Sequence, residues 1–225
     1  MGPAVRLPVA LAAITGLAML AVHASDLGRA NSIVYDAARE VGTWTASGAP
    51  PAATTMAWVR DELGSAAQVT PDDPNLEEML GELALRAPAG ADLDEALVHF
   101  RRAATLRPSS PYAWADIVTV LYRQGDTGAP FEAALRSAAE LGPAEREVQL
   151  VVADYGLAVW DEVAAPTRAA VESMVTGAMK RDPAEILQLA QRRGRLAVAC
   201  RHIRDAPRRV DRQWLSFCGS RETLS

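Results

Sequence analysis

The chain is poor in the residues that carry most catalytic and metal chemistry. It has three histidines and two cysteines among 225 residues, and no HExxH pair, GxSxG elbow or glycine-rich phosphate loop. His23, His99 and His202 are far apart in sequence, whereas Asp72-Asp73 and Glu77-Glu78 suit a helix start, where carboxylates complement the dipole. We therefore expect no catalytic site, no cofactor and no metal; an enzyme built from residues distant in sequence is the alternative.

Aromatic residues are also scarce, at 5% of the chain, and long alternating runs of Val, Ile and Thr are missing. Such runs are typical of half-buried strands, so their absence, together with abundant Ala and Leu, favours helices. Apolar residues make up 49% of the sequence, which excludes a disordered chain. We therefore expect an all-α protein with one or two cores.

Charge is missing altogether from Leu7–Val22, which follows Arg6. Sixteen helical residues span about 24 Å, and adding His23–Ser25 gives a marginal crossing of a bilayer core of about 30 Å. Cleavage after Ala24 by a signal peptidase is equally consistent with the small residues there. A signal peptide and a single-pass inner-membrane anchor both stay open for residues 1–25. Either one puts the remainder in the periplasm-facing cell envelope, because Arg6 marks the retained side.

The two cysteines, Cys200 and Cys218, lie in the last 26 residues. In an oxidising compartment such a pair is most simply a disulfide, and closing this loop would contribute about 3 kcal/mol. Two buried unpaired thiols are the alternative. A metal site with His202 is not expected, because residues two apart on a helix point in different directions.

Lysine is nearly absent, since 22 of the 23 basic residues are arginine. The basic residues are concentrated near the C-terminus. Residues 180–225 carry 11 basic and 5 acidic side chains, net +6, whereas residues 1–179 carry 12 and 23, net −11. The predicted basic patch comprises Arg192, Arg193, Arg195, Arg201, Arg204, Arg208 and Arg209. It is interpreted as a solvated face, as a surface for anionic lipid headgroups, or as a site for an acidic polymer or protein. Nucleic acid is not expected on the exported side of a membrane.

Residues that begin or end helices recur along the chain. Asp26 is predicted to cap a helix running toward Trp44, and the loop Ser47–Ala53 follows. Proline begins further helices at Asp73-Pro74 and Asp182-Pro183. Other helices are predicted to end at Gly125 and at Gly142-Pro143. A last helix is expected around Trp214 and Phe217.

Pro71, Pro108 and Pro143 recur at intervals of 37 and 35 residues, which indicates a helical repeat. The pattern resembles the tetratricopeptide repeat, most clearly over Pro111–Pro143, where Gln124-Gly125-Asp126 matches the turn. The apolar positions that match there are Trp114, Ile117, Val118, Leu121, Leu135 and Ala138. In the preceding copy, the second helix matches at Ala96, Phe100, Ala103 and Pro108. An ordinary antiparallel bundle is the alternative, because it uses the same stripes and turns.

The resemblance implies a right-handed α-solenoid of helix hairpins, each shielding the apolar face of the next. The expected order is the N-terminal apolar segment 1–25, a degenerate hairpin 26–71, two repeats 72–143, a degenerate repeat 144–182 and an Arg-rich helical cap 183–225. In such repeats the first helix of each pair lines a concave surface that binds partners. The side chains expected to be exposed there are Tyr112, Ala115, Thr119, Tyr122, Arg123, Arg146 and Gln149.

A second resemblance covers VQLVVADYGLAVWDEVAAPTRAAVESMV (148–175) and the stretch from Gln191 to Cys200. These segments are similar to small exported repeat proteins associated with bacterial surface-polysaccharide assembly. The similarity implies a non-enzymatic scaffold for exopolysaccharide or O-antigen synthesis or export. Its partners would be proteins of the inner membrane or envelope. The alternative function is a binding module for an acidic glycan or an anionic membrane, acting through the basic patch.

Overall fold

The computed structural model describes residues 3–47, 52–87, 90–205 and 218–219, and all the elements in these ranges are helical. The helices are α1 (Pro3–Ser47), α2 (Ala53–Ala67), α3 (Pro74–Leu85), α4 (Leu93–Leu106), α5 (Pro111–Gln124), α6 (Ala129–Leu141), α7 (Arg146–Ala158), α8 (Ala165–Arg181), α9 (Pro183–Arg192) and α10 (Leu196–Cys200). A 3₁₀ turn follows at Ile203–Asp205. The expectation of an all-α fold is confirmed for this part of the chain.

The chain divides into two compact units, Met1–Asp92 and Leu93–Ser225. The first unit contains α1, α2 and α3, which pack against one another, and the second contains α4 to α10. The boundary lies inside the segment 72–143 that was expected to hold two repeats. Helices α3 and α4, the expected pair of the first repeat, therefore belong to different units.

Helix α1 is 45 residues long, about 68 Å, and the prediction that a helix begins at Asp26 is wrong. The helix passes through Asp26 without interruption, because no proline follows Pro8 within it. Glycine at position 28 costs a helix only about 1 kcal/mol, which does not end it. The predicted loop after Ser47 includes residues 48–51, which lie outside the described residues.

The two halves of α1 have different surroundings. From Ala30 onward, one face packs into the first unit's core through residues spaced four and three apart: Ala30, Val34, Ala37, Val41 and Trp44. Before Ala30 every described side chain is exposed, and Leu17 keeps 67% of its surface. Within Leu11–Trp44 an 18-residue window has a mean hydropathy of 1.4, so this helix is long and apolar enough to cross a membrane. A buried core helix does not fit its exposed apolar turns.

The second unit confirms the expected turn after α5. Gly125 takes the left-handed conformation, with φ of 78°, which glycine adopts without strain. The Asp126 amide donates to the Leu121 carbonyl and the Gly125 amide to the Tyr122 carbonyl, a pattern that ends helices at glycine. Gly194 ends α9 in the same way, with φ of 69°.

Successive helices of the second unit pack on the next helix and on the one after it. Helix α5 packs on α6 and α7, α6 on α7 and α8, and α7 on α8 and α9. Phe100, Phe131 and Leu135 are completely buried, each contributing about 1.5–3 kcal/mol. Trp114 is half-buried, and its indole N–H donates to the Pro108 carbonyl over 3.1 Å.

A disulfide joins Cys200 of α10 to Cys218, with the two Cα atoms 5.3 Å apart. This confirms the predicted pairing, and it fits an oxidising compartment. The helix expected around Trp214 and Phe217 lies outside the described residues, as do Arg208 and Arg209 of the predicted basic patch.

Candidate functional site

The C-terminal ends of α5, α7 and α9 bring one aromatic and charged cluster together. Tyr122 of α5 and Tyr155 of α7 have ring centroids 4.6 Å apart. The guanidinium of Arg193, the residue that follows α9, lies 5.6 Å from the Tyr122 ring centroid and 5.9 Å from that of Tyr155. Cation–π contacts of this kind contribute about 0.5–2 kcal/mol. We call Tyr122, Asp154, Tyr155 and Arg193 the helix-end cluster.

Asp154 neutralises the arginine of this cluster. The Arg193 Nε and Nη2 groups donate to the two carboxylate oxygens of Asp154 over 2.8 and 2.6 Å, in a bidentate pair. Hydrogen bonding to Asp154 raises the pKa of Arg193, against the opposing effect of desolvation. Because both partners keep over a quarter of their side-chain surface, a binding partner can contact the cluster.

Sequence reasoning assigned Tyr122 to the partner-binding surface and Arg193 to the basic patch, and it missed Asp154 and Tyr155. The structure places all four residues in one cluster, although they come from α5, α7 and the residue that follows α9. A signal was present, because Tyr155 follows Tyr122 by 33 residues, close to the period of 35–37 residues expected from the prolines. Comparing equivalent positions in successive hairpins would have found this pair.

Most other residues predicted for the partner-binding surface are already engaged within the second unit. The Tyr112 hydroxyl donates to Glu145 over 2.6 Å, which raises the pKa of Tyr112. Arg146 pairs with Glu185 at 2.7 Å, and the Thr119 hydroxyl donates to the Ala115 carbonyl. Tyr112, Arg123 and Arg146 are exposed, as expected.

The expected exposure is wrong at two positions. Gln149 is only 2% exposed, and its side-chain amide donates to the Pro143 carbonyl over 2.6 Å. Ala115 is also buried. The physical reason for Gln149 is that α8 packs closely against α7 at Gly177, where an added Cβ would lie 3.3 Å from the Gln149 Cδ. Gln149 therefore belongs to the interior of the second unit and is not available to a binding partner.

Three arginines of the predicted basic patch form ion pairs with acidic residues of the second unit. Arg193 pairs with Asp154, Arg195 with Asp161 and Arg201 with Glu172. Arg201 also lies 5.8 Å from the ring centroid of Trp160. Arg192 and Arg204 are exposed. The local acidic partners offset much of the positive charge that the segment has in sequence.

A polar chain between α6 and α8 holds the start of α8. Arg136 donates to the Thr167 hydroxyl over 2.8 Å, and that hydroxyl donates in turn to Glu132. Glu132 also accepts the Ala164 amide, at the N-cap of α8, over 3.1 Å. These interactions, the Thr167 hydrogen bond first, lower the pKa of Glu132 despite its desolvation. Glu132 thus caps a helix from a neighbouring hairpin.

Glu132→Gln is expected to lower the stability of the second unit at pH 7 by about 1 kcal/mol, the typical net value of such a bond. The lowered pKa means that this stabilisation is present above the ordinary Glu value of about 4.3 and is lost as pH falls through the folded value. Urea denaturation at pH 7 and pH 3 should show the variant's deficit shrinking in acid. Glu140→Gln, at an exposed position on the same helix, is the control. A deficit that is equal at both pH values would contradict this role.

No protein-family model matches this chain, and no curated protein matches it. Within residues 11–44, 52–87, 90–204 and 218–219, no group of three or more His, Cys, Asp or Glu side chains is arranged to hold a metal ion.

Proposed function

We propose that this protein is a membrane-anchored adaptor of the cell envelope, which binds a protein partner through the hairpins of its second unit. The observation that carries the proposal is the division of α1: its apolar turns from Leu11 to Val22 are bare, while the same helix is packed from Ala30 onward. Bare apolar surface of this size is stable in lipid and unfavourable in water.

Retention of residues 1–24 as an anchor is favoured over cleavage. Helix α1 runs without a break from its apolar turns into the turns that pack from Ala30 onward, so an uncut chain joins the proposed anchor directly to the first unit. The Arg6 side of the span is the retained, cytoplasmic side, so both units would face the periplasm. The disulfide between Cys200 and Cys218 is consistent with that compartment.

The proposed architecture of the second unit is a right-handed tetratricopeptide-like solenoid. The packing of helices α5 to α7 on the next two helices supports it, because hairpins stacked in one direction make these contacts. Polar contacts between hairpins support it too, since they join residues about one repeat apart: Gln124 with Asp94, 30 residues away, and Arg193 with Asp154, 39 residues away. The partner-binding surface would comprise exposed Tyr112, Arg123 and Arg146 with the helix-end cluster, since Tyr and Arg are favoured in binding hot spots.

The partner is proposed to be an inner-membrane or envelope protein, with surface-polysaccharide assembly as the process. Arg123 is the best probe, because it is exposed in the last turn of α5. Tyr122 is a poor probe, because its contacts with Phe131, Tyr155 and Arg193 make its loss a stability defect as well. The structure therefore favours a single charge reversal at Arg123 over a truncation at Tyr122.

Arg123→Glu is expected to reduce partner capture from detergent-solubilised membranes at least fivefold while leaving the thermal midpoint unchanged. Arg101→Glu, which reverses an exposed arginine of α4, is the matched control and should capture normally. Mass spectrometry of the chain from the same membranes, after an alkaline wash, should still detect residues 7–24. Equal capture by both variants would contradict the binding surface, and a soluble chain lacking residues 1–24 would contradict the anchor.

A further inference from the structure

Two clefts follow the seam between α1 and α2, and they share Ile33 and Glu62. The cleft nearer the apolar end of α1 has a volume of about 200 Å³. Pockets for drug-sized ligands have roughly 300–1,000 Å³, so this cleft suits a small group. Its floor includes the buried side chains of Ala30 and Ala66.

Charges of both signs face this cleft. Arg29 of α1 supplies a guanidinium, while Asp26 of α1 and Glu62 of α2 supply two carboxylates; Ser65 adds a hydroxyl. In the part of the chain that the structure describes, no hydrogen bond or ion pair engages the side chain of Arg29, Asp26 or Glu62. The cleft therefore presents one cation and two anions to an occupant, which suits a ligand that carries both an anionic and a cationic group.

The position of the cleft along α1 indicates the source of that ligand. Val22 is the last residue of the apolar run, and at about 1.5 Å per residue Asp26 lies about 6 Å and Arg29 about 10 Å beyond it. The polar layer of a bilayer adds roughly 5–8 Å outside each face of the hydrocarbon core. With α1 as the anchor, and with the usual tilt of about 20°, the cleft opens at the level of the lipid headgroups.

We propose that this cleft binds the phosphate–ammonium headgroup of a zwitterionic phospholipid, an inference that rests on the proposed anchoring by α1. Arg29 would hold the phosphate, because a guanidinium pairs with phosphate oxygens in bidentate fashion. Asp26 and Glu62 would hold the ammonium through charge-assisted hydrogen bonds. A primary ammonium, as in ethanolamine, has three N–H donors, whereas a choline group has none and a glycerol group carries no cation.

The experiment uses the full chain released from nanodiscs that contain equal amounts of phosphatidylethanolamine, phosphatidylcholine and phosphatidylglycerol, with bound lipid identified by native mass spectrometry. Phosphatidylethanolamine should be retained at least fivefold over the other two. Arg29→Ala and Glu62→Gln should each abolish that preference. Arg39→Ala and Asp61→Asn remove the same charges at exposed positions on the same helices, outside the cleft, and should retain it.

Four results would overturn the headgroup site. Equal retention of the three lipids, or equal losses in the control variants, would remove it while leaving the anchor intact, because the chain would still reside in the nanodisc. Displacement of the lipid by free phosphoethanolamine at equal concentration would assign the cleft to a soluble ligand. A chain that fails to enter nanodiscs would overturn the anchoring itself, and this proposal with it.

Discussion

Gly156→Ala is expected to destabilise the second unit by about 2 kcal/mol, although alanine is the better helix former. Gly156 lies where α7 crosses α8, and an added Cβ would overlap the Cγ2 of Val171 and lie 3.0 Å from its Cγ1. Val171 is completely buried, and a β-branched side chain in a helix has essentially one χ1 rotamer, so it cannot move aside. Overpacking of this kind costs about 1–3 kcal/mol, more than the roughly 1 kcal/mol gained in helix propensity.

Gly64→Ala is the matched control, because Gly64 is inside α2 and an added Cβ there meets no atom within 4 Å. The same substitution should then stabilise the first unit by up to about 1 kcal/mol. Hydrogen exchange of peptides from α2, α7 and α8 reports the two changes separately. Val171→Ala should recover part of the loss in the Gly156→Ala background, since it removes the two overlapping methyl groups. A stabilising Gly156→Ala would show that the helices are not this close.

Replacing both disulfide cysteines, Cys200→Ser with Cys218→Ser, is expected to cost about 3 kcal/mol. The chain-entropy model gives this value for a bridge that spans 18 residues, because the unfolded chain regains the freedom that the loop closure removed. Urea denaturation of the oxidised wild type and the double variant would measure the difference. Both cysteines are buried, so part of the loss would also reflect two hydroxyl groups placed in an apolar site.

A reductant provides the control for the disulfide. Reduced wild type should be destabilised to nearly the level of the double variant, and the double variant should not respond to reductant at all. Equal stabilities of oxidised and reduced wild type would mean that the bridge constrains a segment that is already independent of the second unit's core. In that case the estimate from loop closure would not apply.

Local signals in the sequence predicted the helix ends well, because the interactions that end a helix lie within a few residues. Asp73 accepts a hydrogen bond from the Asn75 amide just before Pro74, as the Asp-Pro pair predicted, and Asp182 caps α9 in the same way. Gly125 likewise needs only its own left-handed conformation to end α5. The disulfide was predictable for a different reason: two cysteines allow only one pairing within the chain.

The failures involve interactions between residues distant in sequence. Asp26 resembled a helix cap, but a polar residue stops a helix only when the backbone also turns, and nothing between Val22 and Ala30 turns it. Gln149 fell on the expected exposed face by register, yet its burial depends on how closely α8 approaches. The helix-end cluster needs the relative positions of α5, α7 and α9, and no single window of sequence contains them.

The unbroken course of α1 has a mechanical consequence for the first unit. A flexible linker would let the α1–α2 hairpin rotate freely above the proposed anchor, whereas a continuous helix fixes both its height and its orientation. Each residue between Val22 and Ala30 adds about 1.5 Å of elevation and 100° of rotation. With α1 as the proposed anchor, the side of the hairpin that faces a neighbouring membrane protein is therefore determined by the helical phase of the seven residues between Val22 and Ala30.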